Sequence, residues 1–240
     1  MSRLLSLLLL LFIPLLNVQA NPLFEGFTAE YDVIRNDLNL GVTKRQLIKH
    51  DAHSLEFLSR TEPEGLVALL ISDVFDERSV IQLDASGVRP LEYTYQQSGG
   101  KTKKDFKAEF NWDKRQLHRS NSNETDALPD NTQDLLSFQL AILDGLYKKQ
   151  HHFNFTIVDH KRIQEHQLDY SGMERLPGSN GGLNVLRLDH KDTRKKDHFT
   201  FWCAEKYHYL PVRIQKVEHD GDVVLLKLRR FNGRRIDLSD

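Results

Sequence analysis

The sequence predicts a mainly β protein: one large curved antiparallel sheet, roll- or barrel-like, built around one principal α-helix. Three observations carry this reading. Apolar and polar residues alternate along most of the chain after residue 20, turn clusters interrupt the alternation at intervals of about 8–12 residues, and one segment alone shows helical spacing.

The first element is an export signal. Met1-Ser2-Arg3 precedes an apolar run from Leu4 to Leu16, and Asn17-Val18-Gln19-Ala20 follows. A short positive flank, a greasy stretch and a small-x-Ala end make a secretory signal peptide, with cleavage expected after Ala20. Pro14 interrupts the run, which falls short of the ~20 residues that span a bilayer, and no later stretch approaches that length. Residues 1–20 are therefore read as a removed signal and 21–240 as a single β-rich domain of a periplasmic protein with no transmembrane segment.

Period-2 alternation begins with Phe27, Ala29, Tyr31 and Val33. It is clearest in Phe106, Ala108, Phe110 and Trp112, where Asp105, Lys107, Glu109 and Asn111 face the other way. Val212, Ile214 and Val217 lead into His219-Asp220-Gly221-Asp222 and then Val223 to Leu228; Asp-Gly between two such runs is a strong hairpin signal. Further turns are expected at Asn36-Asp37, Asp84 to Gly87, Ser98-Gly99-Gly100 and Pro177 to Gly182. Strands joined by turns this short pair with each other.

From Asn131 to about Tyr147 the pattern changes. Leu135, Phe138, Ile142, Leu143 and Leu146 fall at helical spacing, and Leu136 and Leu140 widen the apolar surface. Asp130 or Asn131 is expected to cap this buried helix, and the polar stretch Arg119 to Asn131 reads as the loop leading into it.

Composition removes several classes. With 33 Lys+Arg against 34 Asp+Glu the net charge is -1, and a basic nucleic-acid binder is excluded. One cysteine, Cys203, excludes a disulfide scaffold and a cysteine-rich metal domain; in Phe199-Thr200-Phe201-Trp202-Cys203 it reads as a buried small hydrophobe. Thirteen Phe, seven Tyr and two Trp are enough to build a core, which argues against disorder.

Several stretches carry a family resemblance. These are Asp130-Asn131-Thr132-Gln133-Asp134-Leu135-Leu136-Ser137 at the helix, Tyr31-Asp32-Val33-Ile34-Arg35 with Leu40-Gly41, and Pro90-Leu91-Glu92-Tyr93-Thr94-Tyr95. Phe201-Trp202 followed by Tyr209-Leu210-Pro211-Val212-Arg213-Ile214 completes the set. In this order they resemble the bacterial domain-of-unknown-function family 3108. The resemblance implies an exported Gram-negative protein with a curved antiparallel sheet and a helix, and it implies no activity. A half-barrel kinship with periplasmic lipoprotein carriers is an analogy of fold alone.

The residues offer little catalytic chemistry. The histidine clusters His50/His53, His151-His152, His160 and His166 lack a metal-ligand spacing and are expected as solvated surface residues. Gly100-Lys101-Thr102 lacks the earlier glycine of a phosphate loop, because Tyr95 occupies that position. No Gly-x-Ser-x-Gly elbow occurs, and Ser98 and Ser171 are expected in turns. Asp76-Glu77 on an alternating strand point to opposite faces and cannot share a proton; Asp192 with Asp197 is equally uninformative. The basic runs Lys101/Lys103/Lys104/Lys107, Arg194 to Lys196 and Arg229/Arg230/Arg234/Arg235 read as charged strand faces and edges, with anionic lipid head groups as the alternative.

No catalytic, cofactor-binding or metal residue is therefore assigned, and no cofactor is expected. The leading reading is a non-enzymatic β-roll of the cell envelope that binds an apolar or amphipathic ligand or a partner protein. The alternative is a structural or assembly factor acting through protein contact, with an unrecognised hydrolase behind both. Inward-facing Phe, Tyr, Leu and Val can wall a cavity or interdigitate as a packed core, and the pattern alone leaves both open.

Overall fold

The structure is a computed structural model that describes residues 21–160, 162–178, 181–190, 198–218 and 221–238. The expected signal segment 1–20, the hairpin residues His219 and Asp220, the run Arg194 to Lys196, and Asp192 and Asp197 lie outside the described residues.

Alternation folds as expected into strands. The first half contains β1 (Phe27–Arg35), β2 (Leu38–Lys49), β3 (Ser54–Pro63), β4 (Val74–Asp84), β5 (Gly87–Ser98), β6 (Lys104–Asn111), β7 (Gln116–Arg119) and β8 (Thr125–Ala127). After β9 (Thr132–Asp134) and the helix α1 (Ser137–Tyr147), the second half adds β10 (His152–Val158), β11 (Ile163–Leu176), β12 (Leu183–His190) and β13 (His198–Ala204). It ends with β14 (Leu210–Val217), β15 (Val223–Phe231) and the short β16 (Arg234–Arg235). The sheet order runs from β8 back to β1, crosses to β15, and continues back to β9, with β16 on β15. Each half is thus a meander of chain neighbours, and the β1–β15 pair joins the two. β9 and β10 pair in parallel, while the other ladders are antiparallel.

The backbone ladder does not close, because β8 and β9 end the sheet. Side chains span the gap instead. Gln133 Nε2 donates to the Val88 carbonyl at 2.9 Å, and Ser79 Oγ donates to Asp134 Oδ2 at 2.6 Å. The Tyr95 and His160 rings stack at 4.3 Å, and Asn121 Nδ2 reaches the His160 carbonyl at 3.1 Å. The result is a curled, barrel-like sheet.

Three expectations are corrected here. The helix begins at Ser137 rather than Asn131, because Thr132-Gln133-Asp134 is drawn into β9 against Thr156-Ile157-Val158. Its first turn is held by Asp134, whose Oδ1 accepts the N–H groups of Leu136 and Ser137 at 2.8 Å each, while Ser137 Oγ accepts the Asp134 N–H at 2.9 Å. Asp130, expected as a cap, pairs with Arg115 at 2.9 Å. The stretch from Arg119 to Asn131, expected as loop, contains β8, which pairs with β7 through Leu117 and Asp126.

Packing explains two of the recurring motifs. A Cβ on Gly41 would lie 2.2 Å from the Glu62 carbonyl oxygen, so β2 and β3 can approach there only with glycine. Tyr31 is buried and donates its hydroxyl to the Pro211 carbonyl at 2.9 Å, fastening the first half to the second. One end of the curl is stoppered by a 3-10 turn (Pro22–Glu25) whose Leu23 and Phe24 are buried. Asn21 holds that turn, accepting from the Leu23 N–H and donating to the Leu143 carbonyl of α1. Inside, Phe27 meets Phe57 edge-on at 5.7 Å and Phe138 meets Phe201 at 5.8 Å.

Candidate functional site

The inner face is not wholly oily. Across five adjacent strands the inward register row is Ala29, Arg45, Ser59, Glu77 and Tyr95. Ala29 and Ser59 are small and flank Arg45, which leaves the long side chain room to lie inside the curl. Its guanidinium sits 5.0 Å from the Tyr31 ring centre, and Nη1 donates to Gln139 Oε1 of α1 at 2.7 Å. Arg45 is only 8 % exposed, and its Nε has no hydrogen-bond partner. A buried polar group in that state is costly unless something fills the space before it.

Glu77 accepts the Tyr93 hydroxyl at 2.5 Å. Burial pushes its carboxyl above the ordinary carboxylate range, opposed by the Tyr93 hydrogen bond and the Arg45 charge. Asp134 is likewise raised by burial, against its hydrogen bonds from Ser79, Ser137 and Leu136. Tyr31 is pushed up to about 12, by burial, and stays neutral.

Beside this polar pole lies a cavity of about 210 Å³. Its walls are Leu135 and Leu136 just ahead of α1 and Phe138 within it, with Phe201, Ile214 and Leu226 of the second half; Arg45, Glu77 and Gln139 form one pole. Phe199, Lys216 and Val224 line it at the last inward positions before the turn that joins β14 to β15. Lys216 therefore stands at the mouth, where its Nζ bonds Glu218 at 3.1 Å. Apolar walls with a few convergent polar groups are the usual form of a small-molecule site.

A larger hollow of about 680 Å³ lies mainly against the opposite face, over Thr28, Lys44, Leu58, Arg60, Asp76 and Arg78. Its charges are engaged with each other: Lys44 with Glu62, Arg60 with Asp76, and Arg78 with Glu92. Its lining side chains are mostly charged or polar, with Ala29 and Leu58 the apolar ones, whereas the inner cavity is lined mainly by Leu and Phe.

The residues weighed in the sequence are scattered. His50, His53, His151 and His152 are exposed as expected, but His166 and His190 are buried, with rings 5.2 Å apart. They occupy inward positions on β11 and β12, where Phe199 also meets His166 at 5.9 Å. Among the described residues, no group of three or more His, Cys, Asp or Glu side chains is arranged to hold a metal ion. Cys203 is fully buried, and burial raises its thiol. Ser98 ends β5, whereas Ser171 lies within β11 at its bulge rather than in a turn.

Arg45 and Glu77 were not distinguished by motif. The available signal was phase: each is charged at a position where the alternation calls for an inward side chain, between Thr43 and Leu47 in one strand and Phe75 and Ser79 in the other.

The helix motif and the three Tyr-containing motifs thus have structural partners in the fold. The family described as "Protein of unknown function (DUF3108)" matches residues 30–227. The chain belongs to the DUF3108 family. A search of curated proteins gives no match. Among solved structures, this DUF3108 chain is similar to the crystal structure of a β-barrel-like protein of domain of unknown function DUF1849 from Brucella abortus. The TM-score is 0.53 at 12 % identity, covering 90 % of this chain and 98 % of that one. That likeness bears on the fold alone. Gln133 and Asp134, which lie in the helix stretch that carries the family resemblance, fasten β9 across the gap in the sheet. No described helix is long and apolar enough to cross a membrane.

Proposed function

We propose that this protein is a non-enzymatic, exported β-roll that holds an amphipathic ligand in the cavity under α1, with an anionic head toward Arg45. The observation that carries the reading is the buried Arg45 Nε without a partner at the pole of an apolar cavity. A carboxylate or phosphate oxygen would satisfy it. The volume is below the ~300–1,000 Å³ of pockets that enclose drug-sized ligands. A single chain fits best, its far end leaving past Phe199 and Val224. Export rests on the signal-like residues 1–20, and the mass of the secreted chain tests it: cleavage after Ala20 leaves Asn21 as the first residue.

Displacement of a fluorescent fatty-acid probe tests the ligand. The chain beginning at Asn21 should bind the probe, and Arg45→Met should weaken binding about tenfold or more, the loss expected for a charge-assisted contact of ~1.5–3 kcal/mol. A probe that fails to bind, or binds Arg45→Met equally well, would refute this reading. Native mass spectrometry adds a second check: stable protein partners without any small molecule would favour the assembly-factor reading.

A further inference from the structure

The loop between β3 and β4 turns apolar residues outward. Gly65–Leu69 forms a 3-10 turn, and Leu66, Leu69 and Leu70 are 83 %, 80 % and 89 % exposed, with Ile71 at 41 %. The turn is a defined structure: Leu70 and Ile71 both donate their N–H to the Val67 carbonyl at 2.9 Å, and Gly65 takes φ +66°, which suits glycine. Clustered leucines held almost fully in water mark an interaction surface.

The neighbouring turn, between β5 and β6, supplies charge. Ser72 Oγ donates to the Gly99 carbonyl at 2.6 Å and Gln97 Nε2 to Asp73 Oδ1 at 2.8 Å, so the two loops form one unit. A Cβ on Gly99 would lie 1.9 Å from the Ser72 carbonyl oxygen, which shows how closely they pack. Lys101, Lys103 and Lys104 follow, all exposed, and none makes an ion pair among the described residues. Of the acids near the apolar loop, Glu62 pairs with Lys44 and Glu64 with Arg229, while Asp73 stays within the unit, bonded to Gln97. Register places this unit at the same end of the curl as the cavity mouth, since Gly41 pairs with Pro63, Val74 with Ser98, and Arg35 with Val224.

We propose that the leucine loop and its adjoining lysines dock the protein on an anionic phospholipid surface. Leucines enter the acyl boundary while lysines meet the head-group charge, the combination that binds a bilayer interface without spanning it. The proposal does not depend on the cavity holding a ligand, and probe displacement without vesicles tests that separately.

Vesicle co-sedimentation of the chain beginning at Asn21, which carries all the described elements, decides the matter. Binding to an equal mixture of phosphatidylglycerol and phosphatidylcholine should exceed binding to phosphatidylcholine alone by about tenfold or more, and should fall as salt rises. Leu66→Ser/Leu69→Ser/Leu70→Ser should abolish binding to both, whereas Lys101→Gln/Lys103→Gln/Lys104→Gln should remove only the anionic preference. In Leu69→Trp, a blue-shifted emission on adding vesicles would place the loop in lipid. Vesicle binding that survives the triple serine change would overturn the proposal. So would a dimer in sedimentation velocity that the serine change dissolves without any vesicle binding, since a second copy would then cover the loop.

Discussion

Asp76 and Glu77 are chain neighbours on β4, and the pleat sends them into different solvents. Asp76 faces outward and meets Arg60 at 2.8 Å where both are well exposed; Glu77 faces inward, meets a buried tyrosine, and is held above the ordinary carboxylate range. Other acids show the same contrast. Outward acids such as Glu62, with Lys44 first and Arg60 second, are held below their ordinary range by ion pairs. Inward acids Glu77 and Asp134 are raised by desolvation. An outward acid contributes stability that is present above its ordinary range and lost as pH falls through the lowered value. An inward acid behaves oppositely: its contribution is complete below the ordinary range and is lost as pH rises through the raised value. Glu62 and Glu77 are shifted in opposite directions, so surroundings, rather than residue type, decide what a carboxylate does here.

Breaking the inner side at Asp134 should give the largest effect. Asp134→Ala removes the acceptor for the Leu136 and Ser137 N–H groups at the start of α1 and for Ser79, and should destabilise by about 2–4 kcal/mol in urea unfolding. Asp134→Asn retains one acceptor oxygen for the helix and loses the ionisable proton. It should be less than half as damaging and should flatten the decline of stability at rising pH. Equal losses in the two variants would mean that the cap, and with it the helix start, is not what holds β9 in place.

Glu77→Gln sharpens the comparison. The amide oxygen can still accept the Tyr93 hydroxyl, but no buried charge forms at high pH. The variant should match the parent at low pH and exceed it as pH rises past the ordinary carboxylate range, reaching on the order of 1 kcal/mol. A variant that is less stable at high pH would show that ionised Glu77 is a useful partner of Arg45, and that the Arg45 attraction outweighs the cost of burial.

These inner acids also mark the limit of what the residue pattern revealed. The sheet, its hairpins and the single helix were legible because period 2 and period 3.6 are imposed by backbone geometry on every residue of an element. The helix start was misplaced because Thr132-Gln133-Asp134 has no strong local preference; β10 and the carbonyl of Val88 recruit it as a strand. The cavity was only half legible. Inward Phe138, Phe201 and Leu226 were visible as core candidates, but whether such side chains meet or leave space depends on how far the sheet curls, which is set by contacts between distant strands. Arg45 and Gln139 are 94 positions apart, so no local window joins them.

The smallest effect should come from the outward neighbour. Asp76→Asn removes one partner of Arg60, but Arg60 still reaches Glu62 at 3.2 Å, and the side chains involved are largely in water. Double-mutant measurements of such exposed pairs give ~0.2–1 kcal/mol, and the remaining partner should keep the loss at about 0.5 kcal/mol or less, further reduced by salt. A loss well above that would mean that Asp76 is shielded from water, and that the two faces of β4 do not differ in solvent as their ion pairing and burial indicate.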